Sequence, residues 1–173
     1  IVDPAVDSEF IDVTIASSST VWAVANENVI PHLSPVAQRW DGQQWTRFPL
    51  PHPFDTYVEV LAVEALGPDD VWAVGHGRSG PTLDLLPVAW HWDGSGWSYV
   101  PMPRLGAVQV TMADLVAVSP TEVWAVGQEL ANHSAQLRDC GDARRPGLPG
   151  ASNFSVSIQD GPPVTCRACR TRA

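Results

Sequence analysis

The sequence predicts an all-β chain that is built from repeats of about fifty residues. The tetrapeptide VWAV occurs three times, starting at residues 21, 71 and 123, so successive copies are 50 and 52 residues apart. A second motif, PVAxxWDGxxW, occurs at 35–45 and again 52 residues later at 87–97. Because two motifs recur in a common register, the chain contains an internal structural repeat.

Each repeat contains four short segments that are typical of β-strands, here called a, b, c and d. They are rich in β-branched and aromatic residues and are separated by turn residues. Strand a lies at 13–16, 63–66 and 115–118, strand b contains VWAV, strand c contains PVAxxW, and strand d begins at Trp45 or Trp97. No helix is expected in residues 1–130.

The junction between strands c and d carries an Asp-Gly pair in both complete repeats, Asp41-Gly42 and Asp93-Gly94. A tight hairpin favours this pair, because the glycine accepts a positive φ angle without strain. Four antiparallel strands at a period near fifty predict the blades of a β-propeller. A β-solenoid and a β-sandwich are weaker alternatives, since solenoid coils are usually shorter and a sandwich has no reason to repeat side chains.

The predicted fold is therefore a partial β-propeller of about two and a half four-stranded blades, followed by an irregular C-terminal tail. The repeats occupy residues 1–130, with blade 1 at about 11–50, blade 2 at about 61–102 and a partial blade 3 at about 113–130. A closed propeller needs roughly four to eight blades. We therefore expect further blades of the same chain, or self-association, to complete the structure.

The connection between strands b and c differs between the repeats, at residues 25–34 and 75–86. Variable connections often mark the face of a repeat protein that binds a ligand. His32, His76 and Asp84 lie in these connections and are candidate ligand-binding residues. The spacing of the histidines matches no metal signature, so we expect no metal.

All eight tryptophans lie in the repeats. Seven of them share the repeat phase and are predicted to pack between blades: Trp22, Trp40, Trp45, Trp72, Trp92, Trp97 and Trp124. A carbohydrate-binding surface is the alternative explanation for so many indoles. Trp90 breaks the repeat, because Gln38 stands in its place in the first copy. It is the best candidate for an exposed aromatic residue that contacts a ligand.

The sequence contains no positive sign of catalysis. A glycosidase needs two carboxylates close together with one of them desolvated. Several acids could supply them, namely Asp55, Glu59, Glu64, Asp69, Asp70 and Asp84, but each is expected to be a solvated charge. There is no Gly-rich phosphate loop, no G-x-S-x-G segment and no H-E-x-x-H motif. We predict no catalytic residue and no cofactor.

The charge and hydropathy of the chain exclude two classes of partner. Nineteen acidic residues against ten arginines give a net charge of -9, which repels the phosphate backbone of nucleic acids. No apolar run approaches the ~18–20 residues of a membrane-spanning helix. The expected partner is therefore a protein or a carbohydrate.

Residues 131–173 abandon the repeat. They contain no Trp, all three Cys and six of the ten Arg. Three explanations remain open: a basic appendage in which Cys166 and Cys169 form half a zinc site or a redox pair, a disordered linker rich in Pro and Gly, and a shift of reading frame near residue 130.

The order of motifs, D-V-W-A-V-G, then H-W-D-G-x-x-W, then V-P-x-P, resembles the tandem repeats of large, mostly uncharacterised secreted proteins of actinobacteria and related high-GC bacteria. Those repeats are similar in layout to kelch and galactose-oxidase propellers, and the resemblance covers residues 9–130. It implies an extracellular or envelope location. The expected function is a non-catalytic binding or scaffold module that recognises a protein or glycan through its blade loops. A secreted propeller enzyme, such as a glycoside hydrolase or lyase, is the alternative.

Overall fold

The computed structural model describes residues 7–29, 32–54, 57–79, 84–102, 109–130 and 152–158. Every regular element in this part of the chain is a β-strand. The strands are β1 (Ser8–Ile15), β2 (Val21–Val29), β3 (His32–Trp40), β4 (Trp45–Pro49), β5 (Tyr57–Gly67), β6 (Asp70–Ser79), β7 (Asp84–Trp92), β8 (Trp97–Val100), β9 (Gln109–Ser119), β10 (Glu122–Leu130) and β11 (Ser152–Ile158). Within these ranges there is no helix that could cross a membrane.

The first sheet is a simple antiparallel meander in the order β1-β2-β3-β4. The second repeat forms the same meander, in which β5 pairs with β6, β6 with β7 and β7 with β8. We call β5–β8 the middle sheet. These are the strands a to d that the repeat predicts, each with VWAV in its second strand. The prediction of an all-β, partial propeller is confirmed.

The third repeat contributes the hairpin β9–β10. A single parallel pair, Leu85 with Gln109, joins β9 to β7, so that the path β11-β10-β9-β7-β6-β5 is continuous. We call β9–β11 the third sheet. Its strand β9 packs across β5, β6 and β7, as β5 packs across the strands of the first sheet.

Part of the segment that we expected to be irregular forms β11, which pairs antiparallel with β10. It takes the place beside VWAV that strand c takes in the first two sheets. The sequence SNFSVSI alternates polar and apolar residues with the period of a strand. An edge with unpaired backbone groups accepts such a segment, because each N–H and C=O gains a partner. The three Cys residues and the rest of the tail lie outside the described residues.

The middle sheet is buried on both faces. Val71 and Ala73 belong to the core that it shares with the first sheet. Trp72 and Val74, which alternate with them, belong to the core that it shares with the third sheet. This explains why VWAV is a continuous apolar run, since a strand with two buried faces needs no polar positions.

The predicted Asp-Gly turns are confirmed. Gly42 and Gly94 have φ angles of 97° and 89°, which an L-residue with a side chain rarely adopts. The carboxylate of Asp41 accepts hydrogen bonds from the backbone N–H groups of Gln43 and Gln44, at 2.8 Å each. Asp93 repeats this arrangement with Ser95 and Gly96. A further bond from the Ser95 hydroxyl, followed by these backbone bonds, lowers the pKa of Asp93 to about 2.

Candidate functional site

The b–c connections of the first and middle sheets lie at the same end of the molecule. Val29 pairs with His32, and Ser79 pairs with Asp84, so each connection closes a hairpin. Strands β1 and β5 run in the same direction. The backbone N–H of Val63 binds the side chain of Asp12, and two residues further along both strands the N–H of Ala65 binds the side chain of Thr14. We call this the b–c end. The a–b and c–d turns lie at the opposite end, here called the turn end.

Three of the candidate residues lie at the b–c end, as the variable connections predict, but they lie in strands. His32 is the exposed first residue of β3, and Asp84 is the half-buried first residue of β7. His76 is buried in β6, opposite Glu59 of β5. The connections are shorter than the predicted 25–34 and 75–86, because strands b and c continue their pairing almost to the tip of each hairpin. The tips themselves, 30–31 and 80–83, lie outside the described residues.

Trp90 is not exposed, so that prediction is wrong. Its side chain is completely buried, and its indole Nε1 donates a hydrogen bond of 2.7 Å to the backbone oxygen of Pro51. Trp90 lies on the face of the middle sheet that packs against the first sheet. Gln38 takes the same position in the first repeat and is also buried, at 2% exposure. The break in the repeat therefore marks a difference in packing, and Trp90 contacts no solvent-side ligand.

A groove of about 550 Å³ opens at the b–c end between the first sheet and β5. Three acidic residues line it, Asp7, Glu9 and Glu59. Amides and a hydroxyl add hydrogen-bonding groups, and leucine and isoleucine side chains supply an apolar floor: Ser8, Asn26, Asn28, Ile11, Leu33 and Leu61. None of these described lining residues is basic. The groove therefore attracts a ligand that carries positive charge together with some apolar surface.

Asn26 fixes one wall of this groove. Its amide nitrogen donates to the backbone oxygen of Val60 at 3.0 Å, and its amide oxygen accepts from the backbone N–H of the same residue at 2.9 Å. The paired bonds attach β2 of the first sheet to β5 of the middle sheet. Because Asn26 is buried and fully bonded, the distance between the two walls is set before any ligand arrives.

Glu59 links the groove to a second polar cluster. Its carboxylate lies 3.2 Å from Nε2 of His76. The ring of Tyr57 stacks on that imidazole with ring centroids 6.3 Å apart, and the guanidinium of Arg78 lies over the tyrosine ring at 5.6 Å. We call Tyr57, Glu59, His76 and Arg78 the Glu59 cluster. It places one groove carboxylate in contact with a histidine, an aromatic ring and, through that ring, an arginine.

Burial controls the protonation of this cluster. Desolvation lowers the pKa of His76 below its usual value of 6.5, an effect that the nearby Glu59 partly opposes and that Arg78 reinforces. Desolvation and the hydrogen bond with Glu59 raise the pKa of Tyr57. Nδ1 of His76 is buried and has no hydrogen-bond partner among the described residues. The imidazole is therefore neutral at neutral pH.

A separate set of acids lies on the first strands of the three sheets. Burial, followed by the charges of Asp12 and Asp114, raises the pKa of Glu64. The carboxylate of Asp12 is engaged in a structural contact, since it accepts a hydrogen bond from the backbone N–H of Val63 at 2.9 Å. Within the described ranges no group of three or more His, Cys, Asp or Glu side chains is arranged to hold a metal ion.

Sequence reasoning missed Asp7, Glu9 and Asn26, because they come together only when the first sheet packs against β5. One signal could have found part of the groove. Asn26 and His76 are equivalent in the repeat, since each lies four residues after the Trp of VWAV. A polar side chain at the same buried position of two repeats indicates a role between sheets, whereas a solvated loop residue has no reason to recur.

The fold and the groove define an open propeller-type module in which successive antiparallel sheets stack face to face and leave a polar groove between two of them. No protein-family model matches the sequence, and no curated protein matches it. Among solved structures, the chain is similar to one described as "YCF48 bound to D1 peptide", at 14% sequence identity and a TM-score of 0.43. That match covers 96% of this chain, and the chain spans 57% of the length of the solved one.

Proposed function

We propose that this chain is a non-catalytic binding module, extracellular or attached to the cell envelope, whose groove at the b–c end binds a protein segment that carries lysine or arginine. The groove supports this proposal most directly, because three acidic residues and several apolar ones line one cavity without a basic residue among the described lining. The extracellular location is supported by the motif resemblance alone, and a secretion signal in the complete gene would test it.

The chemistry of the groove favours a basic peptide over a glycan. Sugars are usually held by exposed aromatic faces, whereas Trp90, the expected aromatic contact, is buried. Carboxylates attract ammonium and guanidinium groups and hold them with charge-assisted hydrogen bonds. The apolar side chains beside them can cover the aliphatic part of a lysine or arginine. A scaffold role follows if the bound segment belongs to another protein.

Binding of two synthetic peptides tests this proposal. One alternates Lys with Ser and Leu, and the other has Glu in place of Lys. We expect the Lys peptide to bind the chain in isothermal titration calorimetry, with an affinity that falls as salt is added, and the Glu peptide not to bind.

Variants in which a carboxylate is replaced by its neutral amide show where on the chain the peptide binds. Glu59→Gln combined with Asp7→Asn should weaken the Lys peptide at least about tenfold, the size of effect expected when close charge pairs are lost. Asp69→Asn removes an exposed carboxylate at the turn end and serves as the control. Equal losses in the groove variant and the control would show that only net charge matters. If a neutral glycan binds instead, with an affinity that does not depend on salt, the ligand is a carbohydrate and the peptide proposal is wrong.

A propeller enzyme is the second candidate, and the raised pKa of Glu64 beside two other acids is the observation that favours it. A glycosidase uses one protonated and one ionised carboxyl group. Turnover of a glycan or polyuronate that is lost in Glu64→Gln would establish this function. Turnover that persists in Glu64→Gln, or no turnover at all, would contradict it.

A further inference from the structure

Two outward faces of the stack expose apolar side chains of the described residues. The face of the first sheet that points away from the middle sheet exposes Phe10, Val13 and Ile15, the last at 74%. The face of the third sheet that points away from the middle sheet exposes Val116, Val118 and Val126. We call these the leading face and the trailing face. Contiguous exposed apolar side chains mark an interaction surface.

The repeat shows that both faces consist of interface positions. Val13 is equivalent to Val63, fifty residues further along, and Val63 is buried to 3% exposure where the middle sheet meets the first. Val126 is equivalent to Val24 and Val74, which are both fully buried between sheets. Val13 and Val126 therefore occupy positions that the molecule buries inside its own stack.

The tryptophans make the two faces complementary. Between the first and middle sheets, the ring of Trp22 packs on Trp92 and Trp97, with centroids 4.9 and 5.4 Å away. The trailing face carries Trp124, the repeat equivalent of Trp22, and its ring is only half-buried. The trailing face thus presents the inserted half of this contact.

The leading face presents the receiving half. Trp40 and Trp45 are equivalent to Trp92 and Trp97, and their ring centroids lie 5.7 Å apart against 6.0 Å in the buried pair. Trp45 is 36% exposed. One chain therefore displays an inserted tryptophan at one end of the stack and its receiving pair at the other end.

We infer that a second copy of this chain occupies these faces, with Trp124 of each copy packed on Trp40 and Trp45 of the other. The contact is head-to-tail, so two copies related by a two-fold axis make it twice and close a ring. Each copy supplies three sheets, and the ring contains six, within the four to eight of closed propellers. The inference is independent of the ligand of the groove.

The part of the leading face toward the b–c end has the polar character expected at the edge of such an interface. Glu27 and Arg47 form an ion pair there, at positions where the middle sheet has Gly77 and Tyr99. This pair lies toward the b–c end, whereas Trp40, Trp45 and Ile15 lie at the turn end. An apolar centre beside a polar rim is the usual anatomy of a protein interface. The ion pair satisfies its own charges and requires no partner from the other copy.

Sedimentation equilibrium of the full chain tests the inference. We expect a mass of twice 18.7 kDa that dissociates only on dilution. Ile15→Glu places a charge on the leading face, and Val126→Glu places one on the trailing face. Each variant alone should sediment as a single chain, because a ring needs both faces in every copy. Ser95→Glu, at an exposed position in the c–d turn of the middle sheet, adds the same charge away from both faces and should keep the ring.

Mixing the two variants distinguishes head-to-tail contact from a symmetric one. The leading face of the Val126→Glu chain and the trailing face of the Ile15→Glu chain are intact, so the mixture should form a two-chain species through one contact. The inference is overturned if the wild-type chain is a monomer at all concentrations, or if only one of the two variants dissociates it. Near-ultraviolet circular dichroism shows whether each variant is folded. If Ile15→Glu is not folded, Ile15→Ser takes its place, and Val126→Ser takes the place of an unfolded Val126→Glu.

Discussion

The two interfaces inside the stack use the same repeat with different chemistry. Between the first and middle sheets, Trp22 is surrounded by aromatic rings from both sheets, among them Phe48 at 5.6 Å and Trp92 at 4.9 Å. Between the middle and third sheets, Trp72 lies among small apolar side chains such as Val110, Met112 and Ala125. Among the described residues, the ring that stacks on it is His91 of its own sheet, at 4.2 Å.

The difference teaches where the aromatic contacts come from. The rings that enclose Trp22 belong to strands c and d, with the motif WDGxxW supplying two of them. The third repeat has VWAV but not this motif, and the described residues of the third sheet that share a core with Trp72 belong to strands a and b. The same tetrapeptide therefore lies in two different cores, because the side chains packed around it depend on which strands the next repeat contributes.

Replacing each tryptophan by alanine is the strongest way to break this comparison. We expect Trp22→Ala to lower the free energy of unfolding by about 4–5 kcal/mol, because it leaves a large cavity and removes three aromatic contacts. Trp72→Ala should cost about 3 kcal/mol, since its cavity is lined by smaller side chains that can relax. Urea denaturation gives both values. Equal losses would mean that the aromatic contacts add nothing beyond the burial of one ring.

Asn26 and His76 compare the same buried position in the two interfaces. Asn26→Ala should cost about 2–3 kcal/mol, because both backbone groups of Val60 lose their partners inside the protein. Asn28→Ala is the matched control, an exposed residue of the same strand, and should change stability by less than about 0.5 kcal/mol. A small effect at position 26 would show that water replaces the lost bonds.

Trp90→Phe examines the first interface without removing its ring. The loss of the indole N–H leaves the backbone oxygen of Pro51 without this donor, and the smaller ring packs less fully. Together these effects should lower the free energy of unfolding by about 1–2 kcal/mol. Thermal unfolding measured beside Trp45→Phe, at a partly exposed position, gives the contrast. A neutral result at position 90 would restore Trp90 as a surface residue.

The smallest effect concerns pH. The pKa of His76 lies below 6.5 in the folded chain, so the unfolded chain binds the proton more readily. This histidine therefore contributes stability above pH 6.5 that is lost as the pH falls through its folded pKa. His76→Asn, which copies the residue of the first repeat, should flatten the dependence of unfolding free energy on pH in that range. An unchanged slope would assign the dependence to other groups.

The repeat predicted much of the fold from few residues. VWAV located β2, β6 and β10, and the Asp-Gly pairs located two turns, because these motifs act locally through strand propensity and positive φ. The alternating sequence of β11 carried the same kind of local signal, although its position after the repeats concealed its pairing. The length of strands b and c was underestimated, since polar residues such as Glu27 and His76 continue a strand when the neighbouring strand supplies backbone partners.

By itself, the sequence determined the strands, their order within a sheet and the residues that recur at equivalent positions, because these depend on local pattern and period. Only the tertiary structure decided which faces are buried. Val63 and Val13 have the same side chain at equivalent repeat positions, yet Val63 is enclosed between two sheets and Val13 is exposed. The groove was decided in the same way, since Asp7 and Glu59 meet only when one sheet packs on the next. Packing between elements far apart in the chain leaves no local pattern.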